Sequence, residues 1–133
     1  MEENILHLMR RGAVTCTEDQ SIHEVAQIMM VNRIHYCVVI GDQNRIKGII
    51  SARSILKAFG KNLDRTKARD ILLPYTITVT QDTPLSEAVQ VMAEKRIEDL
   101  IIVSGKSQSN VILGILSAED IVRSMAEKQE GKA

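Results

Sequence analysis

The sequence predicts an α+β protein made of two tandem copies of one β-α-β-β-α unit, and three observations carry that prediction. The chain of 133 residues matches itself when shifted by 63, so that residues 14–40 fall on 77–103. Thr15, Thr17, Asp19, Glu24, Gln27, Met29, Arg33 and Ile34 land on Thr78, Thr80, Asp82, Glu87, Gln90, Met92, Arg96 and Ile97, which is 8 identities in 27 positions. A second block matches at a shift of 66 and pairs Gly48, Ile49, Ser51, Ala52 and Ile55 with Gly114, Ile115, Ser117, Ala118 and Ile121. Within each copy the apolar period changes from two to 3.6 and back to continuous runs, which is the order strand, helix, strand, strand. The three extra residues of the second copy fit the Gly/Ser/Asn-rich stretch 104–110, a loop composition.

Each element has its own local reason. Residues 14–17 and 77–80 alternate apolar and polar side chains, as half-buried strands do. The helix that follows carries Ile22, Val25, Ala26, Met29 and Met30 in the first copy and Leu85, Ala88, Val89, Met92 and Ala93 in the second, one face of a helix by spacing. Ser21 with Glu24 forms a capping box, and Thr83 before Pro84 reads as an N-cap followed by an N1 proline. The next strands, 36–40 and 100–103, are apolar throughout, which implies burial on both faces and some parallel pairing. A third strand follows at 46–50 and 111–116, then a last helix at 52–59 and 118–127, capped by Ser51 and Ser117 and, in the first copy, ended by Gly60. Short lead-in helices precede the copies at 5–9 and 68–73. The organisation expected is a first repeat with its lead-in helix over 1–60, a charged linker over 61–67, a second repeat over 68–127 and a frayed tail over 128–133. Neither repeat covers both faces of its own small sheet, so the expectation is sheet-to-sheet packing about a pseudo-twofold axis, which leaves two equivalent clefts between the repeats.

Composition narrows the function classes. Lys+Arg and Asp+Glu both number 17, and a net charge of zero argues against binding duplex nucleic acid. Aromatics are 2% of residues, so the core is built from Ile, Val, Leu, Met and Ala. No apolar run approaches a membrane span, and the acidic start lacks the basic and apolar regions of a signal peptide, so a cytoplasmic setting is expected. Cys16 and Cys37 fit a reducing compartment and read as small buried hydrophobes; no metal-ligand spacing is present. His7, His23 and His35 are scattered, and with no nucleophile–base arrangement or phosphate-binding glycine loop the chain does not read as an enzyme.

Two copies of a strand with alternating Thr, an amphipathic helix ending in Arg-Ile, an apolar strand and a closing Gly-h-h-Ser-x-x-(Asp/Ser)-Ile, where h is apolar, resemble the cystathionine-β-synthase domain family over residues 5–126. The resemblance implies a tandem pair, or Bateman module, that regulates an attached or partner protein, commonly dimerises, and binds adenosine-containing ligands such as AMP, ADP, ATP, S-adenosylmethionine or NAD. It requires no cofactor; AMP, ADP or S-adenosylmethionine would be a regulatory ligand.

The second closing motif carries the physical case. Ser117 stands at a helix N-terminus, where free N–H groups and the dipole favour an anion. Asp120, one turn on, can accept from both hydroxyls of a ribose, Gly114 permits close approach, and Ile115 can cover a purine face. The same Ser-x-x-Asp spacing also serves as a plain helix cap. The resemblance adds Ala13, Val14 and Thr15 from the other repeat's first strand, with adenine held by backbone groups near Val14, and His35, whose alternative is a structural histidine. A weaker second cleft would use Ser51, Ser54 and Ile49 with Thr78, because Ser54 stands where the family places an acid. Glu98 and Asp99 oppose a polyphosphate, which favours AMP or a cationic adenosyl compound over ATP; a solvated or dimer-facing acidic pair explains them equally. The rival reading is a ligand-free module that dimerises and docks on a partner protein.

Overall fold

The computed structural model describes residues 4–72, 77–105 and 111–128. They form an α+β protein of tandem repeats, divided into two compact units. Unit 1 takes its described residues from 1–12 and 78–133, and unit 2 is 13–77.

Unit 2 holds a three-stranded sheet, β2 (Thr15–Thr17), β3 (Tyr36–Ile40) and β4 (Ile46–Ser51), in the order β2-β3-β4. The β2–β3 pairing is parallel and β3–β4 antiparallel, so the fully apolar β3 is central, as its composition implies. Between β2 and β3 runs α2 (Ile22–Asn32), which turns Ile22, Val25 and Met29 into the core. Met30, expected on the same stripe, is 77% exposed: it lies beyond the edge of the buried face. The start of α2 is fully provided for. The Ser21 hydroxyl accepts from the Glu24 N–H at 3.1 Å, and the Ile22 and His23 N–H groups donate to the Thr66 and Leu63 carbonyls at 2.8 and 3.2 Å. The charged stretch 61–67 is therefore folded over a helix end, satisfying donors that the first turn leaves open. After β4 comes α3 (Ala52–Ile55), a 3-10 turn (Leu56–Ala58), and then α4 (Ala68–Ile71), which buries Ala68 and Ile71 in this unit's core.

Unit 1 repeats the plan with β5 (Thr78–Thr80), α5 (Leu85–Lys95), β6 (Asp99–Val103), β7 (Ile112–Ser117) and α6 (Ala118–Glu127). Its N-terminal segment, α1 (Ile5–Leu8) and β1 (Arg10–Arg11), completes a four-stranded sheet in the order β1-β7-β6-β5, with β1 antiparallel to β7. The lead-in segment that stands before each repeat in sequence is thus packed in the unit built mainly from the other repeat. Leu73 and residues 106–110, expected in a helix and a loop, lie outside the described residues. Helix α5 begins at Leu85 with Pro84 as its cap residue; the Thr83 hydroxyl, expected to cap it, accepts instead from the Thr80 N–H at 3.2 Å. Both long helices end on an arginine in the left-handed region, Arg33 (φ 54°) and Arg96 (φ 58°), which turns the chain into β3 and β6. No described helix is long and apolar enough to cross a membrane.

Candidate functional site

Strand β7 delivers Ser117 to the start of α6, and the antiparallel ladder sets Asp99 of β6 directly across from it. The Ser117 hydroxyl accepts from the Asp120 N–H at 3.0 Å and donates to Asp120 Oδ2 at 2.7 Å. Arg123, one turn further, donates from Nη1 to Asp120 Oδ1 at 2.9 Å. Asp120 is 4% exposed, and such a carboxylate persists only with partners of this kind. Burial on its own raises the pKa of Asp120; the Ser117 hydroxyl, the Arg123 guanidinium, the Ser117 backbone N–H and the charge of Arg10 outweigh it and hold the group below the usual carboxylate range. The group is an anion at neutral pH. Among the described residues, these donors occupy only part of the roughly four acceptor sites of the carboxylate.

A cleft of about 270 Å³ opens beside this carboxylate, lined by His7, Leu8, Asp120, Arg123, Ser124 and Glu127. It lies within unit 1, where α1 and α6 adjoin. At the low end of small-molecule site volumes, it suits part of a nucleoside rather than a whole one.

The first closing motif is arranged differently. The Ser51 N–H donates to Ser54 Oγ at 2.8 Å and the Ser54 N–H to Ser51 Oγ at 3.1 Å, while the Ser54 hydroxyl donates to the Ser51 carbonyl at 3.2 Å. Both hydroxyls are consumed in closing a four-residue helix, with no charge held there.

Among the other residues singled out by sequence, Gly114, Ile115 and Thr78 belong to unit 1, and Ala13, Val14, Thr15, His35, Ser51, Ser54 and Ile49 to unit 2. The close approach at Gly114 is made by the chain itself: a Cβ there would stand 2.2 Å from the Arg10 carbonyl oxygen of β1. Ile115 is buried in β7 between Ile101 and Arg10 partners, so its side chain serves the core. His35 is exposed, and its carbonyl accepts from the Ala52 N–H at 2.8 Å, as the Glu98 carbonyl does from Ala118 in unit 1. Thr15 and Thr78 are exposed at the starts of β2 and β5. Sequence reading missed Arg123, whose signal was its position three residues after Asp120 on a helix, and His7, whose α1 position carries no such signal.

Comparison with known proteins gives a consistent picture. A family model described as "CBS domain" matches residues 4–61 and 68–127. The uncharacterized protein MK0525 of Methanopyrus kandleri is 32% identical over 117 residues, which cover 86% of this chain and 58% of that protein. A homoserine O-acetyltransferase of Methanosalsum zhilinae is 31% identical over 114 residues, covering 86% of this chain and 22% of the enzyme. The chain thus spans little more than half of the first relative's length and about a fifth of the second's. Among solved structures, the CBS domain pair of protein MJ0100 in complex with 5′-methylthioadenosine and S-adenosyl-L-methionine superposes with a TM-score of 0.84 at 23% identity, over 96% of this chain and 98% of that one.

Proposed function

The chain belongs to the CBS domain family, and from that premise we propose that it is a regulatory module that senses an adenosine-containing small molecule at its second closing motif. The carrying observation is Asp120: a buried carboxylate, kept ionised by Ser117 and Arg123, with acceptor capacity left over and a cleft beside it. A vicinal diol offers two donors in the geometry such a group accepts, and a ribose is a vicinal diol. Ala13, Val14, Thr15 and His35 would complete the ligand's surroundings from the other repeat, and their approach is part of the proposal. Asp99 across from Ser117, with Glu98, Glu119 and Glu127 nearby in sequence or on α6, disfavours clustered phosphates. The preferred ligands are therefore a cationic adenosyl compound of the S-adenosylmethionine kind or AMP, ahead of ADP and well ahead of ATP. The two adenosyl compounds held by the fold relative carry one ribose each and no phosphate, which agrees with that order.

Titration calorimetry with S-adenosylmethionine, AMP and ATP tests the reading. Asp120→Ala removes a charge-assisted interaction of about 1.5–3 kcal/mol, so affinity should fall roughly 10- to 150-fold. Ser54→Ala should leave it within about twofold, the loss of a neutral bond at a site that does not hold the ligand. Equal affinity of wild type and Asp120→Ala removes Asp120 from the site.

The closed Ser51–Ser54 pair favours a second reading, a ligand-free interaction module that docks on a partner protein. No thermal stabilisation by any of these compounds at saturating concentration would select it, since a ligand bound only by the native state raises stability. The module is proposed to act as a homodimer in a reducing, cytoplasmic setting, where the free thiols of Cys16 and Cys37 persist.

A further inference from the structure

The chain's two cysteines meet in the core of unit 2. Parallel register sets Cys16 of β2 opposite Val39 of β3, and Cys37 stands two residues before Val39 on the same face of the sheet. All three belong to one buried cluster, with the cysteines 3% and 0% exposed and both thiols free. A hydrogen bond between the two thiols holds Cys16 below the usual thiol range against the opposing effect of burial. The same bond, with burial and the charge of Cys16, pushes Cys37 above that range. Cys16 is thus the sulfur that ionises first, and Cys37 is the thiol beside it. Packing alone does not ask for sulfur here: the shift of 63 residues puts Val79 and Leu100 at the same two places in the other repeat.

A disulfide joins Cα atoms about 4.4–6.8 Å apart, whereas diagonal neighbours on adjacent strands stand roughly 7–8 Å apart. Closing the pair therefore moves a strand. Strand β3 is held between β2 and β4, while β2 is three residues long and lies at the sheet's edge, so β2 is the strand that gives. We propose that Cys16 and Cys37 are an oxidisable dithiol, converted by a hydroperoxide into a disulfide that displaces β2. Hydrogen peroxide is small and reaches Cys16 when the edge strand opens locally. The Cys16 thiolate attacks one peroxide oxygen, the O–O bond breaks, and Cys16 becomes a sulfenic acid with release of one water. The Cys37 sulfur then displaces the sulfenic hydroxyl, which takes a proton and leaves as a second water as the S–S bond forms. Two thiols lose two electrons and two protons, and the peroxide takes up both. A bond closed across the register is strained, and strained disulfides are readily reduced, so a thiol reductant reverses the step. Strand β2 begins at Thr15, with Val14 just before it, and both stand around the ligand in the function proposed above. Resting on that reading, the disulfide lowers affinity for the adenosyl compound.

The full chain, treated with hydrogen peroxide and then denatured for thiol counting and peptide mapping, tests the disulfide. Both thiols should disappear together, with the Cys16 and Cys37 peptides linked. Both should return with dithiothreitol, which leaves methionine sulfoxide in place. Thiols that survive in the folded protein, or that end as sulfinic acids without linkage, overturn the proposal. Calorimetry with S-adenosylmethionine tests the consequence. Oxidised protein should bind about tenfold more weakly than reduced, an ordinary size of coupling between sites, and should regain its affinity with dithiothreitol. Cys16→Val and Cys37→Leu copy the other repeat and should fold, as circular dichroism checks. After peroxide, neither variant should show any loss of affinity that dithiothreitol restores. Equal affinity of linked and reduced wild type overturns the coupling and leaves the disulfide. A reduced wild type that binds no S-adenosylmethionine overturns the ligand reading, and the thiol count still decides the disulfide.

Discussion

The side chain at one repeat position separates the two closing motifs. With Ser54 the motif closes on itself through neutral hydrogen bonds; with Asp120 it acquires a buried anion with a neighbouring cation and room for more. The anion also gives the protein an acid limb. Because the folded-state pKa of Asp120 lies below its unfolded value of about 3.9, its contribution to stability is complete above that value and disappears as pH falls through the lower folded value. Chemical denaturation of wild type and Asp120→Asn should therefore give a constant stability difference from neutral pH to about pH 5, narrowing below about pH 4. A difference that stays constant to the lowest pH reached would mean that Asp120 is not the titrating group. The Ser-x-x-Asp spacing made Ser117 and Asp120 legible from sequence. Arg123 escaped attention because an arginine three residues along an exposed helix is commonplace, and only the burial of Asp120 turns that neighbour into a necessity.

Elements were legible wherever their signal is local. The stripe Ile22–Val25–Met29, the Ser21–Glu24 box and the apolar β3 and β6 each encode their own structure within a few residues, and the parallel β2–β3 and β5–β6 pairings follow from the apolar runs. The two-residue strand β1 was not legible, since two exposed arginines carry no strand pattern and exist as a strand only because β7 offers them a free edge. Gly114 is the residue that admits this pairing. Gly114→Ala forces a Cβ against the Arg10 carbonyl, and relieving the overlap means displacing β1 at a cost of about 1–3 kcal/mol. Thermal unfolding of Gly114→Ala should show a lowered midpoint, whereas Gly12→Ala, with open space around it but a φ of +73°, reports backbone strain alone. An unchanged midpoint for Gly114→Ala would show that β1 contributes nothing to stability.

For the molecule as a whole, the exchange of lead-in segments sets what is separable. A fragment of residues 68–133 lacks α1 with the fully buried Ile5, and lacks β1, so the sheet of unit 1 is left without its first strand. A fragment of residues 1–67 lacks Ala68 and Ile71 from the core of unit 2. Losing a buried isoleucine side chain alone costs about 2–5 kcal/mol, comparable with the whole stability of a unit this small. Neither half should show a cooperative transition in urea. A sharp transition in either one would demonstrate that the exchanged segment is dispensable.

The same exchange imposes a timetable on biosynthesis. Unit 2 is one continuous stretch, 13–77, and is complete as soon as it clears the ribosome. Unit 1 needs its first dozen residues and the stretch from 78 onward, so Ile5 and the two arginines of β1 wait while more than 100 residues are added, roughly 5–20 s at ordinary elongation rates. Late in that interval the nascent chain carries a finished unit 2 while α1 and β1 still lack β7. Protease treatment of stalled nascent chains should find residues 13–72 protected well before residues 4–12, and protection of both together would mean that the α1–β1 segment has found a partner other than β7.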